Sequence, residues 1–539
     1  MTPPTGTNKL FNVTSNIAEA SLPIPAVSEP IENTAPSTAG MTTKVVKGSL
    51  WTLAGQVAPM AVSFFTTPFV IRLLGSEGYG ILILITLIPT YFSFADFGMG
   101  LASTKFASEA YAEGKFEKEA RIVRTAAMIG LASSAPVATL IIIFAGYIIG
   151  LFNVSPNYVA EATLALHLSA LTFVINLLCS IFNSHQLARL RMDLNTAINA
   201  VPRILGLIAT PVIIYFGYGI VGAVTVLLVA SLFNLFGHII ISGRLSPNLF
   251  GITIDRCVAK RMVGFGGSLV LVALAGIILV HAEKGILASA VSASALAHYS
   301  VAYTLASMIT LFSSAMIQSL IPAFSQLQTE ERRSQLNSIY SRGIRFSIIW
   351  MVPALVVLTL SAKPFFTLWA GPEYGQASTI PFYVLISGLA FNIVAYLPYS
   401  AILSAGRSDL LAKIYWLEVI PYIAIVWFSA SRYGAVGAAA AWSIRVIGDA
   451  VIQFIIAKRF AGIRLVPNGW KGLAVSSLVM LVPLVVFAVP AISTLLVVSI
   501  VLFSVIVYTV LIWKFVLSSE ESDWLMKRAK LRLVGHAAL

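Results

Sequence analysis

Charge is scarce in this chain. Of its 539 residues only 11% are Asp, Glu, Lys or Arg, while 58% are hydrophobic. A soluble globular chain carries about 25% charged and about 45–50% apolar residues, so too little polar surface is present to dissolve a chain this long. Cysteine is nearly absent: Cys179 and Cys257 are the only two, which excludes a disulfide framework and CxxC-type metal spacing. No GxxxxGK[ST] loop occurs, so no ATP motor of that type is encoded. The six histidines are scattered and the acidic residues form no motif spacing. Neither a catalytic constellation, a metal site nor a cofactor is predicted. The ten-residue alternating segments of a membrane barrel are missing too.

Long apolar runs are what the chain has instead. Most exceed 18 residues, the length that marks a membrane-spanning helix. Fourteen candidate spans have centres near residues 60, 90, 138, 173, 207, 232, 272, 311, 357, 391, 422, 447, 480 and 503. The net charge of +13 is read by position. With the N-terminus in the cytoplasm, 30 of the 35 basic residues fall on the cytoplasmic side. Arg72, Lys284, Lys363 and Arg432 fall on the other side, and Arg445 sits mid-span. Lys and Arg collect in cytoplasmic loops, so both termini are expected in the cytoplasm. The positive charge thus points to membrane lipids rather than nucleic acid.

Residues 1–43 differ from the rest. Six prolines lie within the first 40 residues, among many Ser and Thr, and the segment reads as a disordered cytoplasmic tail. The first apolar run begins near Gly48 and is too long for a secretory signal. At the other end, "SSEESDWLMKRAKLRL" (518–533) opens with a capping box, Ser518 and Glu521. It reads as an interfacial amphipathic helix within 517–539.

The chain repeats itself. "YGIVGAVTVLLVASLFNLFGHIIISGR" (218–244) aligns without gaps on "YGAVGAAAAWSIRVIGDAVIQFIIAKR" (433–459), at an offset of 215. "INLLCSIFNSHQLARLRMDL" (175–194) pairs with "FNIVAYLPYSAILSAGRSDL" (391–410) at 216, sharing an RxDL loop. A weaker echo links Tyr79 to Tyr299 at 220. The expected fold is an all-α polytopic membrane protein of about 14 transmembrane helices. Two six-helix lobes, 44–245 and 246–460, are related by a pseudo-twofold axis along the membrane normal, and 461–516 adds a C-terminal helix pair. Transporters with such parallel repeats bind substrate between lobes and rock them to alternate access.

The first two spans carry "RLLGSEGYG" (72–80) and "FADFGMGLASTKF" (94–106). They resemble the polysaccharide transporter family, the bacterial O-antigen-type flippases of the multidrug/oligosaccharidyl-lipid/polysaccharide exporter superfamily. The resemblance covers roughly 44–516 in span plan. It implies a non-enzymatic, multi-pass flippase of the bacterial inner (plasma) membrane. Undecaprenyl-pyrophosphate-linked oligosaccharide would move from the cytoplasmic to the periplasmic leaflet for cell-surface polysaccharide (O-antigen or exopolysaccharide) biosynthesis. Polymerase and export proteins are the implied protein partners, and H+ or Na+ the candidate coupling ion. Arg72 and Gly75 to Gly80 would shape a hairpin, and Gly98 and Gly100 would allow close packing. The alternative is an ion-coupled multidrug/cation antiporter of the same superfamily. A scaffold needs no pseudosymmetric halves, and a glycosyltransferase would need a larger periplasmic loop.

A pyrophosphate head needs cations, and ionisable residues inside the membrane are functional candidates by default. Arg suits phosphate through its planar fork. The candidate substrate-binding residues are Arg445, Lys105, His281, Lys284 and Arg203; the candidate ion-coupling residues are Asp96, Glu418 and Asp449. Each has a plainer reading. Arg445 and Asp449 form an i,i+4 pair, Asp96 caps or bends a helix, and Lys105 pairs with Glu109. His281, Glu283 and Lys284 close a span in an interfacial loop, and Arg203 anchors the interface. In the repeat, Asp449 corresponds to Asn234 and Arg445 to Ala230.

Overall fold

The computed structural model describes residues 38–246, 255–310, 330–460, 469–487 and 493–519, with parts of the stretches between them and of 520–526. Most of the expected tail lies outside these residues, as does most of the expected C-terminal helix. Among the described residues the chain is helical, with no strand. In a bilayer every backbone N–H and C=O needs a partner within the protein, which only helices and closed barrels supply, and long unalternating apolar runs suit helices.

The residues group into two units, Met1–Lys47 and Gly48–Leu539. In the first, the helix that we label α1 (Thr38–Thr90) begins, inside the predicted tail. In the second, the longer helices in order are α2 (Met99–Ala112), α3 (Phe116–Ile143), α4 (Pro156–Phe182), α5 (Met192–Ile213) and α6 (Gly219–Leu245). Then come α7 (Arg256–Ala290), α8 (Ala293–Ser307), α9 (Arg333–Trp369), α10 (Thr379–Ser404) and α11 (Ser408–Phe460). Helices α12 (Trp470–Val479) and α13 (Thr494–Phe515) finish the chain. Helices α2 to α6 pack among themselves, and so do α7 to α11, while α12 and α13 pair and lean on α9. These packing groups follow the chain order of the two repeats and the terminal pair.

Among the described residues ten segments are long and apolar enough to cross a membrane. Three of them (Leu50–Asp96, Met192–Leu245 and Ser408–Phe460) contain a glycine with non-helical backbone angles that turns the chain back. Counted as pairs, they bring the segments to thirteen. The remaining expected span, centred near residue 311, runs through 311–319, outside the described residues.

The repeat is visible in the backbone. Gly219 has φ 52° and ψ −142°; Gly434, 215 residues later, has φ 56° and ψ −134°. Both turns need a residue without Cβ. In the RxDL loops, Arg191 Nε donates to Asp193 Oδ1 (3.0 Å), and Arg407 Nε donates to Asp409 Oδ1 (3.1 Å). The offset falls from 216 to 215 between these landmarks, so the first lobe holds one more residue. Ile214–Tyr218 forms a π-type turn there, between α5 and α6. A π-type turn is how a helix absorbs a single extra residue.

Helix contacts follow membrane logic, in which small residues let backbones approach. Gly437, Ala438, Ala439 and Ala441 are buried along α11. A Cβ at Gly388 on α10 would meet Ser443 of α11 at 2.8 Å or less, and Ser443 Oγ donates to Val384 O (2.8 Å).

The family-like motifs act at the lobe boundary. Gly75 (φ 71°) breaks α1 as the expected hairpin. Arg72 does something else: its Nη2 donates across the lobes to Leu368 O (2.7 Å), near the last turn of α9. A cation on the terminal carbonyls of a helix is favourable. Trp369 Nε1 returns a bond to Phe64 O (3.0 Å). Gly98 (φ 66°) packs on Gly266 of α7, and Gly100 packs on Ser180.

Candidate functional site

Helices α1, α4, α5 and α6 enclose a cavity of about 610 Å3 inside the first lobe. Helix α1 contributes Thr86 and Thr90, α4 contributes Ser169, Thr172 and Asn176, α5 contributes Asn199 and Arg203, and α6 contributes Ala230, Ser231 and Asn234. On α5 the polar positions Asn199 and Arg203 are i,i+4, and on α6 Ser231 and Asn234 are i,i+3, which places them on one face of each helix. Arg203 is the only charged residue in this lining. It is exposed and has no hydrogen bond or ion pair among the described residues. Asn234 Nδ2 donates to Asn199 Oδ1 (3.2 Å), while Asn234 Oδ1 is buried without a protein partner. The lining thus offers one guanidinium, three amides and several hydroxyls, a set suited to phosphate and sugar.

The second lobe holds charge of both signs. Arg445 Nη1 donates to Glu418 Oε2 (3.4 Å), and both side chains are nearly buried. The expected i,i+4 pair with Asp449 is therefore replaced. Arg445 turns to a carboxylate across the Gly434 hairpin, and Gln453 Nε2 donates to both oxygens of Asp449 (2.8 Å each). Arg445 also lies over the Tyr422 ring, at 5.3 Å. Tyr422 OH donates to Glu283 Oε2 (2.8 Å), and Tyr299 OH donates to Glu283 Oε1 (3.3 Å). Glu283 has no exposed surface. One connected network thus links Glu283, Tyr422, Arg445 and Glu418, with Glu418 Oε1, Arg445 Nε and Gln453 Oε1 buried and unpaired.

The interfacial-loop reading of His281, Glu283 and Lys284 is corrected. Helix α7 continues to Ala290, so these residues lie inside it. Lys284 is half-buried, and its ammonium lies 4.7 Å from the Tyr303 ring centroid. His281 is half-buried, and its backbone carbonyl accepts from Tyr91 OH of the first lobe (2.6 Å). Lys105 is also re-paired. It sits over Phe265 (4.4 Å) and Phe106 (5.3 Å), while Glu109 takes Arg261 (3.2 Å). Asp96 accepts from Gly98 N (2.7 Å), closing the turn ahead of α2. The bond closes a turn two residues long that ends on Gly98, the N-cap of α2, so no side chain caps the helix itself, and no ion pair to Asp96 occurs among the described residues.

The structure therefore joins Arg445, Glu418, Asp449 and Lys284 in the second lobe, puts Arg203 in the first-lobe cavity, and leaves Lys105 and Asp96 at the lobe boundary. Sequence reasoning missed Asn176, Asn199, Ser231 and Asn234 as a lining, and Glu283 as a network centre. The signal was present: polar residues spaced i, i+3 or i, i+4 on otherwise apolar helices.

Comparison with known proteins agrees with this architecture. Residues 69–379 match the family described as "Polysaccharide biosynthesis protein". The chain is similar to the "Putative O-antigen transporter" of Shigella flexneri, 24% identical over 423 residues, covering 76% of this chain and 96% of that one. Its fold is similar to that of the lipid II flippase MurJ in an inward closed conformation. That match has a TM-score of 0.67 at 14% identity and covers 86% of this chain and 97% of that one. An inward-facing multidrug resistance MATE family transporter gives 0.65 at 11% identity, covering 76% and 98%. The two structural likenesses bear on the fold.

Proposed function

Because the chain belongs to the polysaccharide biosynthesis protein family, we propose that it is a flippase for polyprenyl-diphosphate-linked oligosaccharide in the bacterial inner membrane. The substrate moves from the cytoplasmic to the periplasmic leaflet by alternating access of the two lobes, and both termini are cytoplasmic. What carries this reading is the first-lobe cavity, in which a single unpaired guanidinium, Arg203, stands among amides and hydroxyls with no carboxylate in the lining. A guanidinium holds a diphosphate through paired charge-assisted hydrogen bonds. The amides and hydroxyls give the adjoining sugars both donors and acceptors. The polyprenyl tail stays in lipid. The volume of about 610 Å3 lies within the usual span of small-molecule sites.

The second lobe supplies the candidate coupling groups, Glu418 and Asp449, with Arg445 as their internal counter-charge. Its buried acids are also what favours the second reading, a multidrug/cation antiporter. Arg203 opposes that reading, because it would repel a cationic drug from the first-lobe cavity.

The test is deletion of the gene followed by leaflet-resolved analysis of lipid-linked glycans. Accumulation in the cytoplasmic leaflet is expected. Normal periplasmic delivery with dye efflux lost would replace the flippase by the antiporter.

A further inference from the structure

Behind the first-lobe cavity runs a buried chain of polar groups that the transport reading does not use. Asn199 Oδ1, which accepts from Asn234, also lies 3.4 Å from His238 Nε2. The other ring nitrogen, Nδ1, lies 2.9 Å from Gln186 Oε1. Gln186 Nε2 donates to Ser242 Oγ (3.4 Å), and Ser242 Oγ donates to Phe182 O (2.6 Å). His238, Gln186 and Ser242 have no exposed surface.

Backbone carbonyls, which can only accept, set the direction of this chain at both ends. Asn199 Nδ2 donates to Asn195 O (2.8 Å), so its Oδ1 is the atom turned to His238. Ser242 uses its proton on Phe182 O, so it must accept from Gln186 Nε2. That turns Gln186 Oε1 toward the ring. Both nitrogens of His238 therefore face acceptors. A neutral imidazole has one N–H and leaves one contact as lone pair against lone pair; an imidazolium satisfies both. The shorter contact keeps the N–H at Nδ1, and the frustrated one is Nε2, next to the cavity wall.

A buried cation needs a counter-charge. Among the described residues none is bonded to His238. Glu119 of α3 takes Arg189, with His185 at 4.0 Å, and Asp193 takes Arg191. Cys179 of α4 turns its thiol toward Ser231 O (3.9 Å). Arg244 is in the last turn of α6. Arg203 lines the cavity, whose wall residues Asn199 and Asn234 stand between it and His238. The missing charge is what that cavity would bring: a diphosphate beside Arg203.

We propose that His238 is a proton-binding site linked to the first-lobe cavity. It is neutral when the cavity is empty and takes one proton from solvent onto Nε2 when a diphosphate binds, returning it on release. The inference rests on the flippase reading for the ligand and deepens it by assigning a proton site outside the acidic second lobe. Linkage is reciprocal: an anion that favours the imidazolium is itself bound more tightly by it, so affinity falls as pH rises.

The test uses the full-length protein in nanodiscs and a short-chain prenyl diphosphate sugar, whose diphosphate diester stays ionised throughout. Titration calorimetry in buffers of different ionisation enthalpy, from about pH 6 to about pH 8 around the histidine range, reads proton uptake and affinity together. Uptake approaching one proton is expected, and affinity then falls by about tenfold per pH unit, as linkage requires. His238→Gln should bind without uptake and with a flat pH profile at the weaker level. Gln186→Glu, which holds the imidazolium in place in both states, should be flat at the tighter level. Binding without proton uptake in the unmodified protein, or uptake that survives in His238→Gln, overturns the proton site and leaves the flippase reading standing. Failure of every form to bind the probe overturns both.

Discussion

The two lobes share one backbone plan and fill it with opposite chemistry. On α6 the inward positions are Ala230, Asn234 and His238; their repeat equivalents on α11 are Arg445, Asp449 and Gln453. The first lobe keeps the space open as a cavity with one free cation. The second fills it with Glu418 and Arg445 tied into a network with Glu283, and with Asp449 held by Gln453. Pseudosymmetry therefore preserves the hinge geometry and the helix register, while the sites diverge. In the first lobe the cation is free to meet an anionic ligand. In the second the cation is used internally, against Glu418.

Breaking the internal pair should have the largest effect. Arg445→Ala strands Glu418 as a nearly buried, uncompensated carboxylate. Removing one partner of such a pair costs about 3–5 kcal/mol, read as a lowered unfolding temperature and reduced membrane level. Arg445→Ala/Glu418→Ala should regain most of that stability. Full stability in the single variant would show that the pair is not structural. Arg203→Ala is the contrasting case. Among the described residues nothing bonds to Arg203, so stability should change by no more than about 0.5 kcal/mol. Diphosphate affinity should instead drop by about 1.5–3 kcal/mol, the worth of hydrogen bonds to a charged group, with Arg203→Lys partly active. If Arg203→Ala unfolds the protein, the free-cation comparison fails.

The paired hinges sharpen the comparison next. Alanine at Gly434 must hold a backbone conformation that costs about 1–3 kcal/mol outside glycine, but its Cβ meets nothing within 4 Å. Alanine at Gly219 bears the same strain, and its Cβ also runs into the Glu161 carboxylate, which accepts from Ile220 N. Gly219→Ala should therefore be the more damaging of the two. Equal losses in thermal unfolding would mean that the Glu161 contact yields without cost.

Much of this difference could be read before the fold was known. The repeat, its RxDL loops and the asymmetry at Arg445 and Ala230 are written in residue spacing. Even the extra residue of the π-type turn shows as an offset that changes from 216 to 215. What spacing cannot supply is which neighbour a side chain chooses. The i,i+4 rule offered Asp449 to Arg445, but the hairpin at Gly434 brings Glu418 alongside from the preceding helix. Lys284 looked like a loop residue because the apolar run thins there, yet α7 continues and turns the lysine inward onto Tyr303. The first-lobe cavity was legible as a polar stripe, but its residues are neutral, and a search weighted toward charge passes over amides.

The smallest expected effect lies at the RxDL loops, where the lobes are most alike. Both Arg–Asp pairs are exposed, and such pairs are worth about 0–1 kcal/mol. The surroundings differ in two respects, the first being that Arg407 also lies over the Phe460 ring, at 4.8 Å. Asp409 has a second cation, Lys413, at 3.9 Å, whereas Asp193 is paired with Arg191 alone among the described residues. Arg407→Ala leaves its aspartate a partner one helical turn on, and Arg191→Ala does not. The salt-sensitive part of the fall in unfolding temperature should thus be slightly larger in Arg191→Ala than in Arg407→Ala, and that difference should vanish at high salt as screening removes it. A loss well above 1 kcal/mol in either variant, or one insensitive to salt, would mean that the loop arginine acts on something other than its aspartate.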